Sequence, residues 1–255
     1  MIKILLDQFE IDCIGLGFRE LNKRIRDAIK RGFKKIKLVN VNGQRYICAG
    51  VKDQIEVEIH GSPGNNLGIF MDGPRIVVYG NAGDGVGNTM NNGLMTIHGS
   101  VGDVVGYSMR GGRIYIKGDA GYRLGIHMKE FGAKRPIIVV GGSVGDFLGE
   151  YMAGGIIIVL GLDREDAVKG RFVASGIHGG RIYLRDGLKR RSLGFGATLT
   201  ELDEEDYKIL ERILEDYCLR MNYSRKSLLS ESFVKIIPKS KRPYKTLYHQ
   251  TALKV

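Results

Sequence analysis

A parallel β-helix built from 19-residue coils is the fold this sequence predicts, and three observations predict it. The first is a period. Gly61, Gly80, Gly99 and Gly118 stand 19 residues apart, and each opens the same phrase, as in IHGSVGDVVGYSMRGG. The phrase returns at Gly142 after a five-residue insertion, and Gly161 follows 19 residues on. Within each copy a glycine recurs at +3 and +7, and a methionine at +10: Met71, Met90, Met109, Met128 and Met152. A fixed short period means stacked units. The second observation is that each unit ends in a β-branched alternation (RIVVYG, LMTIHG, RIYIKG, IIIVLG), the mark of a strand with one buried face. The third is what a unit leaves out. Nineteen residues are too few for a strand–helix–strand crossover, and no 3.6-residue period is present. Stacked coils place each strand beside its successor, about 4.8 Å away, with the methionines in a column inside.

Three regions follow. Residues 1–58 form an α/β N-terminal cap. Phe18, Leu21, Ile25, Ala28 and Ile29 have helical spacing, with Lys30 and Arg31 in the last turn and Gly32 where a C-terminal cap belongs. A strand over Ile36–Val41 and an Asn42-Gly43 turn come next, and Ile55, Val57 and Ile59 lead into the repeats. This region is placed to cover an open sheet end. Residues 59–186 are the β-helix, about six coils with a looser last copy from Gly170. The insertion after Met128 (Lys129, Glu130, Lys134, Arg135) is too polar to lie inside. Residues 187–255 begin irregularly and then form a helix. Asp203 is its N-cap, acids fill the first turn, and Leu202 is set to staple to Tyr207. Tyr207, Leu210, Ile213, Leu214, Tyr217 and Met221 are its expected apolar face. A strand in SFVKIIPKSKRPY and an extended, Pro-broken tail close the chain.

Composition excludes several classes. Of 37 glycines, 29 lie between residues 59 and 186, so the excess belongs to the repeats. No 18-residue apolar run and no signal-peptide pattern are read, which points away from a membrane and toward the cytoplasm. Cys13, Cys48 and Cys218 are scattered without a CxxC pair, so neither zinc nor an iron–sulfur cluster is expected in this chain. The net charge of +11 divides into +4, +2 and +5 over the three regions. The basic excess, densest at Lys189-Arg190-Arg191 and Lys235–Lys245, therefore sits in the flanks. Without interleaved aromatics or a known module it reads as a docking or solubilising surface, with no nucleic-acid partner.

Candidate sites reduce to columns of the repeat. The G-x-x-G-x-x-x-G phrases lead into further coils, with no helix and no GK[ST], so they read as structural turns rather than a phosphate loop. Asn65, Asp84, Asp103, Tyr122 and Asp146 form one column. Calcium would suit it, but the Asp-rich nonapeptides of calcium β-rolls are absent, so carboxylate bonds to turn N–H groups are expected. His60 and His98 share a column with Tyr79 and Lys117, which must point outward. His127 shares its column with Phe70, Thr89, Ser108 and Tyr151. Neither column is a metal cluster, and no nucleophile motif is present. Catalytic, cofactor-binding and metal residues are accordingly none. Read from its residues, the chain is a scaffold or interaction surface.

NVNGQRYICAG at 40–50, the repeats, GDFLGEYMAGG at 145–155, GIHGGRIY at 176–183 and PKSKRPY at 238–244 together resemble a known family. It is the GXGXG domain that ends the large (alpha) subunit of glutamate synthase, in its stand-alone archaeal-type form. The resemblance implies a right-handed β-helix without catalytic residues, part of an oxidoreductase complex of nitrogen metabolism. It implies partners: a glutamine amidotransferase and a synthase subunit carrying FMN and iron–sulfur clusters, held in register while glutamine and 2-oxoglutarate become glutamate. The same repeat resembles an accessory subunit of formylmethanofuran dehydrogenase and a subunit of methylamine–glutamate N-methyltransferase. A free-standing interaction module and self-association into a homo-oligomer also remain open. The basic flanks and the tail around Lys239–Tyr244 are the expected docking surface.

Overall fold

The computed structural model describes residues 8–162, 164–185, 192–224, 228 and 232–240. They form one sheet of 11 strands with two helices. In chain order the elements are β1 (Gln8–Asp12), α1 (Phe18–Lys30), β2 (Lys35–Asn42), β3 (Glu56–Ser62), β4 (Asp72–Tyr79), β5 (Asn92–Ile97) and β6 (Arg113–Ile116). There follow β7 (Ile137–Val140), β8 (Ala153–Val159), β9 (Gly179–Arg185), β10 (Ala197–Thr200), α2 (Glu204–Met221) and β11 (Phe233–Pro238). Strands β1 to β9 pair in sequence order, all parallel. Val78, Ile97 and Ile116 lie in register on neighbouring strands. The chain is therefore a β-solenoid of about six turns, as its period predicts.

The core follows from strand alternation. One side of every coil faces the interior, as in the row Val57, Ile76, Met95, Ile114, Ile138, Ile157 and Ile182, all buried. Met71, Met90, Met109, Met128 and Met152 are all fully buried at the other end of each coil. The insertion after Met128 bulges outward, with residues 129–135 exposed and an antiparallel bridge between Phe131 and Lys134.

Helix α1 starts after Gly17, ends at Arg31, and leaves through Gly32 at φ +91, as its spacing predicts. Its Leu21, Ile25 and Ala28 join the interior core. The N-terminal region also adds β1 and β2 to the sheet in register.

Helix α2 lies on the outside of the sheet. Asp203 caps it, with a reciprocal capping box to Asp206. Leu210, Ile213, Leu214, Tyr217 and Met221 pack on Tyr115, Ile137, Val139, Ile156, Ile158 and Tyr183. The expected face needs one correction. Tyr207 is exposed, and the buried stripe runs instead from Asp206 through Ile209. Asp206 holds that place because its carboxylate accepts from the Tyr183 hydroxyl, Arg181 and Lys235. Leu202 packs into the same cluster, while Tyr207 does not. Another correction concerns the stretch before α2, which reads as irregular but contains strand β10. The closing strand β11 inserts antiparallel between β9 and β10.

Candidate interaction surface

The turn edge of the solenoid has a backbone that repeats more strictly than its sequence. At +5, +7 and +9 of each coil the residue lies in the left-handed region. Position +5 is Asn66, Gly85, Val104, Arg123 and Phe147 in turn; position +9 is Phe70, Thr89, Ser108, His127 and Tyr151. The triplet recurs before the glycine repeats as Tyr46, Cys48 and Gly50, and after them as Phe172, Ala174 and Gly176.

Space decides where this conformation demands glycine. Position +7 faces inward, and a Cβ on Gly106 would fall on the Ile138 side chain of the next strand. Gly68, Gly87, Gly125 and Gly149 meet comparable neighbours. Positions +5 and +9 face outward, so other side chains fit there at a backbone cost of roughly 1–2 kcal/mol each. The +3 glycine has a separate reason. A Cβ on Gly102 would fall on the Asp84 carboxylate oxygen of the coil below.

That carboxylate belongs to a ladder. Asn65 accepts from the Asp84 N–H at 3.0 Å, Asp84 from the Asp103 N–H at 2.9 Å, and Asp103 from the Tyr122 N–H at 2.8 Å. Asp146 accepts from the Arg171 N–H at 2.7 Å. The column expected to bond turn N–H groups does so. A second ladder at +1 runs through Asn81, Ser100, Asp119 and Ser143. Here glycines and acceptors are one device: Gly83, Gly102 and Gly121 at +3, and Gly99, Gly118 and Gly142 at the coil opening, make room for an acceptor from the neighbouring coil.

The histidines separate as expected from their columns. His60, Tyr79 and His98 stack on the outside of the sheet with ring centroids 5.0 Å apart. Partial burial and the nearby Lys117 ammonium lower the His98 pKa. His127 lies exposed on the turn edge. Among the described residues no three His, Cys, Asp or Glu side chains are placed to hold a metal ion, and no helix is long and apolar enough to cross a membrane. All three cysteines are buried, and burial pushes the Cys13 thiol to about 11 and that of Cys48 to about 12. Neither is a nucleophile near neutral pH.

Aromatic side chains on the turn edge are the feature the sequence columns did not single out. Tyr46, Phe70, Tyr107, Tyr151, Phe172 and Phe195 are all exposed, Phe70 at 53% and Phe195 at 64%. Some of them join in two ring clusters. Tyr107 meets His127 edge-on at 5.8 Å, His127 stacks on Tyr151 at 5.3 Å, and Phe147 stacks on Phe172 at 5.1 Å. Arg123 lies 4.5 Å over the Phe147 ring. Tyr46, Phe70, Tyr151 and Phe172 hold left-handed backbone angles while their rings face solvent. Such residues add strain without full burial in return. Aromatics and arginine are enriched where one protein docks on another. The signal was present as Phe and Tyr at +5, +8 and +9, but only the coil geometry puts those positions on one edge.

Of the docking surface expected from the flanks, Lys189-Arg190-Arg191 and residues 241–255 lie outside the described residues. Lys235 has another role, buried against Asp206 and Asp203.

The family model described as the GXGXG motif matches residues 20–239. An uncharacterized protein of Methanocaldococcus jannaschii is 46% identical over 253 residues, covering 95% of this chain and 97% of the relative. The chain therefore belongs to the GXGXG motif family, that of the C-terminal domain of the glutamate synthase alpha subunit.

Proposed function

We propose that this chain is a non-catalytic scaffold subunit of a multi-subunit glutamate synthase. It holds a glutamine amidotransferase chain and an FMN and iron–sulfur synthase chain in register, and the aromatic turn edge is where a partner docks. One observation carries the docking surface: exposed rings are kept at left-handed positions in two pairs of adjacent coils, Tyr46 with Phe70 and Tyr151 with Phe172. Family membership supports the choice of complex. A rigid solenoid suits the task, because its coils fix the spacing of every ring along the edge.

The test is reconstitution with the amidotransferase and synthase chains of the same organism. Glutamine-dependent glutamate formation is expected to require this chain. A rate as high without it ends the scaffold reading. A double variant, Tyr151→Asn with Phe172→Asn, tests the surface separately. Asparagine tolerates the left-handed region better than an aromatic residue does. The variant chain is expected to be at least as stable as the wild type, yet to co-elute poorly with its partners on size exclusion. Unchanged assembly by this variant removes the aromatic edge from the interface.

A further inference from the structure

A cleft of about 720 Å³ lies away from the aromatic edge, between the insertion after Met128, the outside of the sheet and α2. Six basic side chains line it: Arg75 of β4, Arg113 of β6, Lys134 and Arg135 of the insertion, and Arg212 and Arg220 of α2. They come from four separate elements and converge on one concavity. Gly73, Gly93 and Gly112 line it as well, and Gln54 and Asn92 add amide groups.

Three carboxylates offset part of this charge. Asp216 takes Arg113 at 2.8 Å and Arg220 at 2.9 Å, Glu130 takes Arg135 at 2.8 Å, and Asp72 takes Lys134 at 3.4 Å. Arg75 and Arg212 make no ion pair among the described residues. Even Glu56, the register neighbour of Arg75 on β3, makes none with it. Neither arginine is buried, so neither serves the core. Like charges gathered in a concave, partly low-dielectric surface focus a positive potential. Five of the six are arginines, whose planar fork matches carboxylate and phosphate oxygens two at a time. The volume falls in the usual range for small-molecule sites, roughly 300–1,000 Å³.

We propose that this cleft binds a small organic polyanion, a molecule with two or more phosphate or carboxylate groups, with Arg75 and Arg212 as its free anchors. The ligand bridges the insertion and α2 across the sheet. Binding weakens as salt rises, because the anchors are solvent-accessible.

The experiment is calorimetric titration of the full chain with pyrophosphate and, separately, with citrate, at constant ionic strength. The double variant Arg75→Gln with Arg212→Gln is compared with a charge-matched control on α1, Lys23→Gln with Lys30→Gln. The wild type and the control are expected to bind at least one of the two anions alike, and the cleft variant at least tenfold more weakly. Unliganded melting temperatures of all three are expected to coincide, since the four side chains are exposed. Binding of pyrophosphate alone identifies a phosphate ligand, and of citrate alone a carboxylate ligand. No binding of either anion overturns the proposal. So does an equal loss in the control, which marks unspecific attraction to net charge, or an undiminished affinity in the cleft variant.

Discussion

Two halves of one sheet differ only on the outside. From β3 to β9 the inward rows are continuous Val, Ile, Leu and Met, all buried. On the outward side, β6 to β9 present Tyr115, Ile137, Val139, Ile156, Ile158 and Tyr183, which lie buried under α2. Over β3 to β5 the same rows carry Glu56, Glu58, Arg75 and Val77, none of them fully buried and none in the α2 cluster, while Leu94 packs at its margin and Thr96 is buried beside Tyr115. The inward side is thus common to every coil and closes the solenoid. The outward side is where each coil acquires its separate use, as a seat for a helix or as a wall of the basic cleft.

The largest expected contrast is between outward residues at equivalent positions. Tyr183→Ala removes a buried ring and the hydroxyl that donates to Asp206 at 2.7 Å. It should cost about 3–5 kcal/mol in urea unfolding. Val77→Ala, in the same outward row of the bare half, should cost under about 1 kcal/mol. Comparable losses would mean that the bare half is covered too.

The inward side should show no such contrast. Met90→Ala and Met109→Ala are each expected to cost ~2–5 kcal/mol, because both side chains are fully buried in the same column. A loss in one and none in the other would break the equivalence of the coils.

A pH profile sharpens the covered half. Burial alone would raise the Asp206 pKa, but bonds from Lys235, Tyr183 and the Asp203 backbone prevail and lower it to about 2. A depressed carboxyl contributes stability above its unfolded pKa, near 4, and that contribution is lost as pH falls toward 2. Its size is about 2 kcal/mol. Unfolding of the wild type between pH 5 and 2, compared with Asp206→Asn, should show this component only in the wild type. An identical pH slope in both would remove Asp206 as its source.

The smallest effects belong to the surface charges. Arg75→Ala should move stability by less than about 0.5 kcal/mol, and Arg113→Ala, whose partner Asp216 sits on α2, by about 0.5–1 kcal/mol. Thermal melts at low and high salt separate them: the Arg113 effect should shrink with salt. If Arg75→Ala costs more than Arg113→Ala, Arg75 has a structural role in the bare half.

Much of the solenoid was legible in order. Period, strand alternation and the methionine column all survive in three dimensions, because stacking copies a one-dimensional repeat directly into space. Asp203 as an N-cap was legible for a local reason, since a cap needs only its own first turn. Tyr207 was misplaced because helical spacing alone leaves the stripe free to rotate by one residue. The buried partners of Asp206 set that rotation, and they come from β9 and β11. The aromatic edge was hidden among columns that looked merely variable.

By itself, the sequence determined the coil. Its length, inward residues, glycine steps and acceptor ladders depend on contacts between neighbours one period apart, and a repeat carries those contacts in its own spacing. Tertiary structure alone decided what lies on the outside. Asp216 and Arg113 are separated by 103 residues, yet they meet because α2 folds back over β6. Arg75, Lys134 and Arg212 converge for the same reason. No period relates these residues, so their juxtaposition depends on where a non-repeating helix and an insertion settle on the finished sheet.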